Sequence, residues 1–480
     1  MTGRESFGSF VNERRHKRSP FQEEYTLSVW RMELSKIWEV SARCLWTAIA
    51  TRIQCPLKTE NLISPPAIPM MAGDGHKSGE TMVNITDLKC AVIGGSPVVR
   101  IVTDEGIDGW GQVETPKPYL APVVMMLRPA LIGQDPTNVE RVMRRIRNRG
   151  GFKPWGSAVS AVEMALWDLA GKAAGLPVHK LLGGKVRDRV RTYRTSYHAP
   201  DITHSPDDYV IWAKSAKAMP EQFTMFKLPT SFHSSMVKEV PEYFYGDVER
   251  EASYNYAHRG LMTEKGMNHL VACIEAAKEE LGPEYGLALD CGPGWVAPDA
   301  LRFARAVEHL HLLWLEDMIT GDYVPFTNAD VYREITAHTT TPIHTGEQVY
   351  LRQNFKSLIE GHAVNIVGPD PCDVGGIAEL KWIAEYADLH GILIAPHGTA
   401  NGIFGLAAHV QVGATMPDNF IAFEYPARFE PWWYEITEGF ENSPVVDGMV
   451  VVPDRPGMGV EFIVDKARAY LSEADQDFFA

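Results

Sequence analysis

The sequence predicts an α/β protein in which an antiparallel α+β segment leads into a (β/α)8 barrel. Two observations carry the barrel. From Val190 onward there are eight short β-rich runs, most of them about 25–30 residues apart, the length of one strand–helix unit. Helical patterns such as "NHLVACIEAAKEEL" and "AELKWIAEYADLH" lie between the runs. A doubly wound open sheet is the main alternative, but no GxGxxG follows the first run. A third observation carries the segment before the barrel. "NITDLKCAVIGGSPVVRIVTDEGIDGWGQVET" alternates strand, Gly-rich turn, strand, "DEG" turn and strand, which is an antiparallel meander.

Taken in order, residues 1–81 combine a basic start, one amphipathic helical pattern and a Pro-rich loop, and Met82 follows. They read as a poorly ordered N-terminal extension or as a start assigned too far upstream, with the second preferred. Residues 82–188 hold the meander and helices near 119–129 and 136–148. They also hold a longer helix on which Ala158, Val162, Ala165, Leu166 and Leu169 share one face before Gly175 and Pro177 end it. The eight runs are 190–193, 223–228, 285–290, 312–316, 342–346, 364–368, 391–395 and 420–424. They place the barrel at 189–425, with a C-terminal segment at 426–480 that returns to the first domain.

The bulk numbers narrow the function classes. A chain of 480 residues with 45% apolar content is long enough for two or three ordinary domains or for one large barrel plus an accessory domain. A formal charge of -15 speaks against nucleic acid as a partner. Six cysteines without CxxC spacing suit reduced thiols in a cytoplasmic protein. No apolar run approaches the roughly 18 residues of a membrane span, and no signal-peptide core follows the basic start.

Chemistry gathers where the apolar runs stop. Asp290 ends the third run, Glu316 ends the fourth and Glu347 follows the fifth. Asp370 follows the sixth, His397 the seventh, and Glu424 ends the eighth. The spacings are 26, 31, 23, 27 and 27 residues. In a parallel barrel all strand C-termini open on one face, so residues one unit apart meet at the mouth. One strand-end carboxylate is usually a turn former or cap; six polar residues in register are not. Three carboxylates on adjacent strands, Asp290, Glu316 and Glu347, repel unless a cation joins them. An all-oxygen set suits Mg²⁺. Asp370 beside His397 would orient the imidazole and raise its basicity. Pro396 and Gly398 would turn that ring into the mouth. Lys227, at the end of the second run, would bind an anionic group of a substrate. His344 and His362 read as structural or surface residues.

These residues, in this order, resemble the enolase superfamily and its mandelate racemase-like acid-sugar dehydratases. The similarity covers about residues 84–465. It is carried by "SAVEMALWDLAGKAAGLPVHKLLGG", "WLED", "TPIHTGEQVYLRQNFKSLI", "PDPCDVGGIAELKWIAEYADLHGILIAPHG" and "VPDRPGMGVE". The resemblance implies an α+β capping domain plus a modified (β/α)8 TIM-like barrel, in a homo-oligomer. It implies that Asp290, Glu316 and Glu347 hold Mg²⁺ and that Asp370 and His397 form a catalytic dyad. It further implies that Lys227 and Glu424 contact the carboxylate of a small sugar-acid substrate. The expected reaction is abstraction of the proton α to that carboxylate, then loss of water to give a 2-keto-3-deoxy acid.

The sequence departs from the family pattern twice. Many members carry Lys-x-Lys at the second strand, where this chain has Lys227-Leu228-Pro229. Some dehydratases carry a His two residues past the first metal ligand, where this chain has Gly292. That leaves His397 as the remaining obvious acid–base group and disfavours two-base racemisation. A cycloisomerase or epimerase acting on a related sugar acid or lactone is the nearest rival. An aldose isomerase on a metal-binding barrel and a non-enzymatic binding module are more distant ones. The long stretch 230–266 reads as a lid or a subunit contact, with Tyr243, Tyr245, Tyr254, His258 and Arg259 available for substrate hydroxyls.

Overall fold

The computed structural model describes residues 83–480 apart from 115–116, 149–155, 197–201, 246–260, 322–326, 399–401, 428–429 and 441–443. The expectations for residues 1–81 and for Tyr254, His258 and Arg259 lie outside the described residues.

The meander is β1 (Ile85–Ile93), β2 (Ser96–Thr103) and β3 (Asp108–Gln112), paired antiparallel in that order. Gly94 and Gly95 take positive φ, the conformation that a tight turn between β1 and β2 needs and that glycine adopts without penalty. The Gly156–Ala174 helix packs directly on β3. Its residues 156–166 are all buried, so the one-sided stripe expected from the sequence is only part of its contact surface. Its backbone can approach the strand because β3 carries glycines. A Cβ on Gly111 would stand 1.8 Å from the carbonyl oxygen of Ala161. Gly111→Ala is therefore expected to cost about 1–3 kcal/mol, the usual range for overpacking, read by denaturant unfolding.

The barrel strands are β4 (Arg189–Thr195), β5 (Met225–Pro229), β6 (Gly286–Asp290), β7 (Leu315–Glu316), β8 (Ile343–Thr345), β9 (Ile366–Val367), β10 (Leu393–Ile394) and β11 (Phe423–Tyr425). Each lies in or overlaps one of the eight predicted runs. Consecutive strands from β4 to β10 pair in parallel. The last segment joins both ends of that series. Ile421 N donates to Ile394 O at 2.9 Å and Glu424 N to Pro396 O at 2.9 Å. On the other side Phe423, Glu424 and Tyr425 pair with Thr192, Tyr193 and Arg194 of β4. Hydrogen bonds therefore run all the way round the ring. Tyr193, Ala288, Trp314, Ile366, Ala395 and Ala422 form a buried cluster of their own, separate from the larger core.

Glu163 links the long helix to the barrel. Its carboxyl accepts from Ile377 N at 2.7 Å and Ala378 N at 2.9 Å, at the start of the Ile377–Leu389 helix that follows β9. Burial pushes its pKa up to about 8 against the pull of those amides. The last residues of the chain pack on the meander: Phe462, Phe478 and Phe479 surround Trp110, and Arg100 donates to Phe478 O at 2.6 Å. A hairpin from the same segment, 445–451, pairs antiparallel with β4, which no periodicity announces. Among the described residues no helix is long and apolar enough to cross a membrane.

Candidate active site

The mouth of the ring collects the polar strand ends. Asp290 and Glu316 are the last residues of β6 and β7 and stand side by side in register. Glu347, Asp370 and His397 sit two or three residues past β8, β9 and β10, and Glu424 lies within β11. All six are buried.

Lys227 lies in the middle of the carboxylates. Its ammonium is 2.6 Å from Glu316, 3.2 Å from Glu424 and 3.8 Å from Asp290, above the face of Tyr193. Burial alone would lower its pKa, but Glu316 and Glu424 reverse that and hold it well above the usual lysine value. Lys227 is thus a permanent cation.

His397 is held on both sides. Asp370 Oδ2 lies 2.8 Å from its Nδ1, while Nε2 is 3.3 Å from Glu347 and 3.7 Å from Glu424. Asp370 is itself fixed by the amide of Cys372, which donates at 2.6 Å. Burial disfavours the imidazolium, yet Glu347 and Glu424 carry the pKa well above the ordinary histidine range. The residues flanking His397 tie its turn to β11. Pro396 O accepts from Glu424 N, and Gly398 N donates to Glu424 Oε2 at 3.0 Å. Glu424 also accepts from the Thr195 hydroxyl. Burial favours its neutral form, but Lys227 and His397 lower its pKa.

The carboxylates group differently from the sequence expectation. The oxygens that come within 4.8 Å of one another belong to Glu316, Asp317 and Glu347. Asp290 is held between Lys227 and His233, whose Nδ1 lies 3.2 Å from Asp290 Oδ1. Asp317 accepts from Thr345 Oγ1 at 2.5 Å, and burial together with Glu316 raises its pKa well above the carboxylate range. The donor set fits a hard cation. Glu316, Asp317 and Glu347 offer only carboxylate oxygens, close enough together to share one ion.

Sequence reasoning missed four residues here. Asp317 follows Glu316 and reads as a turn. His233 lies four residues past β5. Glu114 and Lys117 come from the end of the meander: Glu114 forms a group with Asp370 and His397, and Lys117 pairs with Glu114 and, at 3.2 Å, with Asp373. Tyr243 is enclosed. It exposes no surface, its ring packs against Phe244, and its hydroxyl meets Ser231 Oγ at 3.0 Å. Tyr245 is exposed. His344 is buried and stacks on Trp314, a structural role, while His362 is exposed.

Residues 213–466 match the model of the enolase C-terminal domain-like family, and residues 94–183 match the mandelate racemase / muconate lactonizing enzyme N-terminal domain. The chain belongs to the enolase superfamily, in its mandelate racemase-like subgroup. Among relatives of this superfamily member, a D-xylonate dehydratase of Haloferax volcanii is 30% identical over 84% of this chain and 92% of its own length. A D-galactarolactone cycloisomerase of Agrobacterium fabrum is 27% identical over 76% and 88%. A mandelate racemase/muconate lactonizing enzyme-like protein of Rubrobacter xylanophilus has a similar solved structure. It shows a TM-score of 0.70 and 30% identity over 82% of this chain and 99% of its own.

Proposed function

We propose that this enolase-superfamily protein is a hydro-lyase that dehydrates a sugar acid to a 2-keto-3-deoxy acid. The observation that carries the reading is the Asp370–His397 pair, set beside Lys227 and Glu424 at the edge of the carboxylate group. The D-xylonate dehydratase relative supports the substrate class.

Each residue then has a task. Lys227, fixed as a cation, binds the substrate carboxylate. Asp370 holds the His397 imidazole so that Nε2, in its neutral form, takes the proton from C2. Glu424 anchors Lys227 and the turn bearing His397. To donate to the enediolate it takes up a proton with the substrate. Glu316, Glu347 and either Asp290 or Asp317 would hold Mg²⁺. When bound, Mg²⁺ stabilises the negative charge that builds on the substrate carboxylate as C2 loses its proton.

The second reading is a cycloisomerase or epimerase. It is favoured by the Agrobacterium relative and by His233, a second imidazole 3.2 Å from Asp290 that could serve beside His397. Proton NMR in D₂O, with Mg²⁺ and a panel of acid sugars, decides between them. The expected result is a 2-keto-3-deoxy acid with deuterium at C3. A C2 epimer or a ring-isomerised product, with no keto acid formed, would replace the dehydratase reading.

A further inference from the structure

His409 lies behind the dyad, on the Ile403–Gly413 helix that follows His397. That helix is buried along its whole length and is gripped by the first domain near both ends. At its start Gln112 of β3 accepts from Phe404 N at 3.1 Å, and the Gln112 amide donates to Ser96 Oγ at 3.0 Å. Gly402 leaves the room for this, since a Cβ there would stand 2.0 Å from Gln112 Nε2. Toward its end Gln411 Oε1 accepts from His179 N at 2.9 Å, and Gln411 Nε2 donates to Met458 O at 3.2 Å. A buried helix end needs such partners, and fixing both ends sets the direction of every side chain between them.

His409 is one of those side chains, and it is buried. Its ring stacks flat on Phe423, with 4.9 Å between centroids and 9° between planes. It also donates to the main-chain oxygen of His397. Burial pushes its pKa down to about 4, against the pull of Asp370 and Glu424. The ring is therefore neutral near pH 7 and offers its N–H without placing a further positive charge beside the dyad.

The turn that carries His397 is thus tied at three successive residues. Pro396 O accepts from Glu424 N at 2.9 Å, His397 O accepts from His409, and Gly398 N donates to Glu424 Oε2 at 3.0 Å. Glu424 supplies two of the ties and His409 the third. The stack on Phe423 seats His409 against the strand that bears Glu424. Asp370 orients the imidazole of His397, while the three ties fix the main chain from which that imidazole springs. A catalytic group has to be held within about 0.5 Å of its working position, so both kinds of support are needed.

We propose that His409 is a positioning residue for His397: by bonding the main chain of the base, it holds the imidazole where Nε2 reaches the C2 proton. The inference rests on the dehydratase reading, in which His397 is that base.

The test compares His409→Leu and His409→Phe, which lack a donor, with His409→Gln, which returns an amide N–H. The phenylalanine variant also keeps a ring to stack on Phe423, and circular dichroism selects the donor-free variant that folds. Readouts are kcat and KM for keto-acid formation, Mg²⁺ binding by calorimetry, and hydrogen exchange at the Gly398 amide by mass spectrometry. The donor-free variant is expected to lose about 10-fold in kcat, below the roughly 100-fold that a misplacement of about 1 Å costs. Its KM and Mg²⁺ affinity should stay within about twofold of wild type, and its Gly398 amide should exchange faster. His409→Gln should bring kcat back to within about threefold of wild type and restore the protection of Gly398. Wild-type kcat in the donor-free variant, or an equal loss in His409→Gln, would overturn the proposal. A loss matched by weaker Mg²⁺ binding would overturn it too, because the damage then reaches the carboxylates. A wild-type protein that makes no keto acid from any acid sugar brings down the dehydratase reading instead. The exchange at Gly398 then still decides the role of His409: unchanged protection in the donor-free variant refutes it, and loss reversed by glutamine upholds it.

Discussion

Replacing His397 with asparagine is expected to lower keto-acid formation by about 10²–10⁴-fold, the range a single general base supplies. Asparagine fits the space and bonds to Asp370, so the fold should persist by circular dichroism. Asp370→Asn should cost less. It leaves an imidazole at the site but removes the carboxylate 2.8 Å from Nδ1 that orients it and stabilises its protonated form. The order of the two losses is the informative quantity. Wild-type rates in His397→Asn would remove the dyad from the mechanism. An equal loss in both would mean that orientation, rather than basicity, dominates.

Stripping divalent metal, or replacing Glu316 with glutamine, is expected to reduce turnover at least about 100-fold, since charge stabilisation at a carboxylate is worth several kcal/mol. Glu316 is fully buried, 2.6 Å from Lys227, and accepts from Trp314 Nε1 at 2.8 Å. Its loss therefore unbalances Lys227 as well. Calorimetry separates the effects: Glu316→Gln should abolish Mg²⁺ binding, and added Mg²⁺ should restore the chelated wild type but not the variant. Full turnover after chelation, with metal analysis showing less than one ion per ten chains, would end the metal assignment. A parallel series on Asp290→Asn and Asp317→Asn identifies which of the two completes the set.

Much of the barrel and of its mouth was legible in the sequence because both repeat. Strands recur with their unit length, and Asp290, Glu316, Glu347, Asp370, His397 and Glu424 recur with them, so register alone brings them to one rim. What was illegible does not repeat. His233 reaches Asp290 because glycines two and four residues beyond Asp290 leave space for Phe232 and His233, a fact about volume rather than spacing. Glu114 and Lys117 arrive from the meander, whose docking no periodicity encodes. Tyr243 belongs to a long stretch between β5 and its helix, where spacing says nothing about contacts. Only the folded chain shows that its hydroxyl meets Ser231. The Gly156–Ala174 helix showed an apolar stripe on one face, but small residues such as Ala161, Ser157 and Ser160 let its other faces be covered too.

The pairing of β11 with β4 joins segments more than 200 residues apart in the chain. Contacts of such long range form late, since the entropy of closing so large a loop is lost before they reward it. Glu424 belongs to that final strand, and it fixes Lys227 on one side and the turn carrying His397 on the other. A partly assembled chain with seven strands in place would possess the carboxylates and both imidazoles, yet lack the piece that aligns them. Catalytic competence is thereby tied to the completion of folding: in a refolding experiment, activity should return with the slowest phase, after most of the helical signal has already recovered. Incomplete molecules would bear the charges of the site without its chemistry.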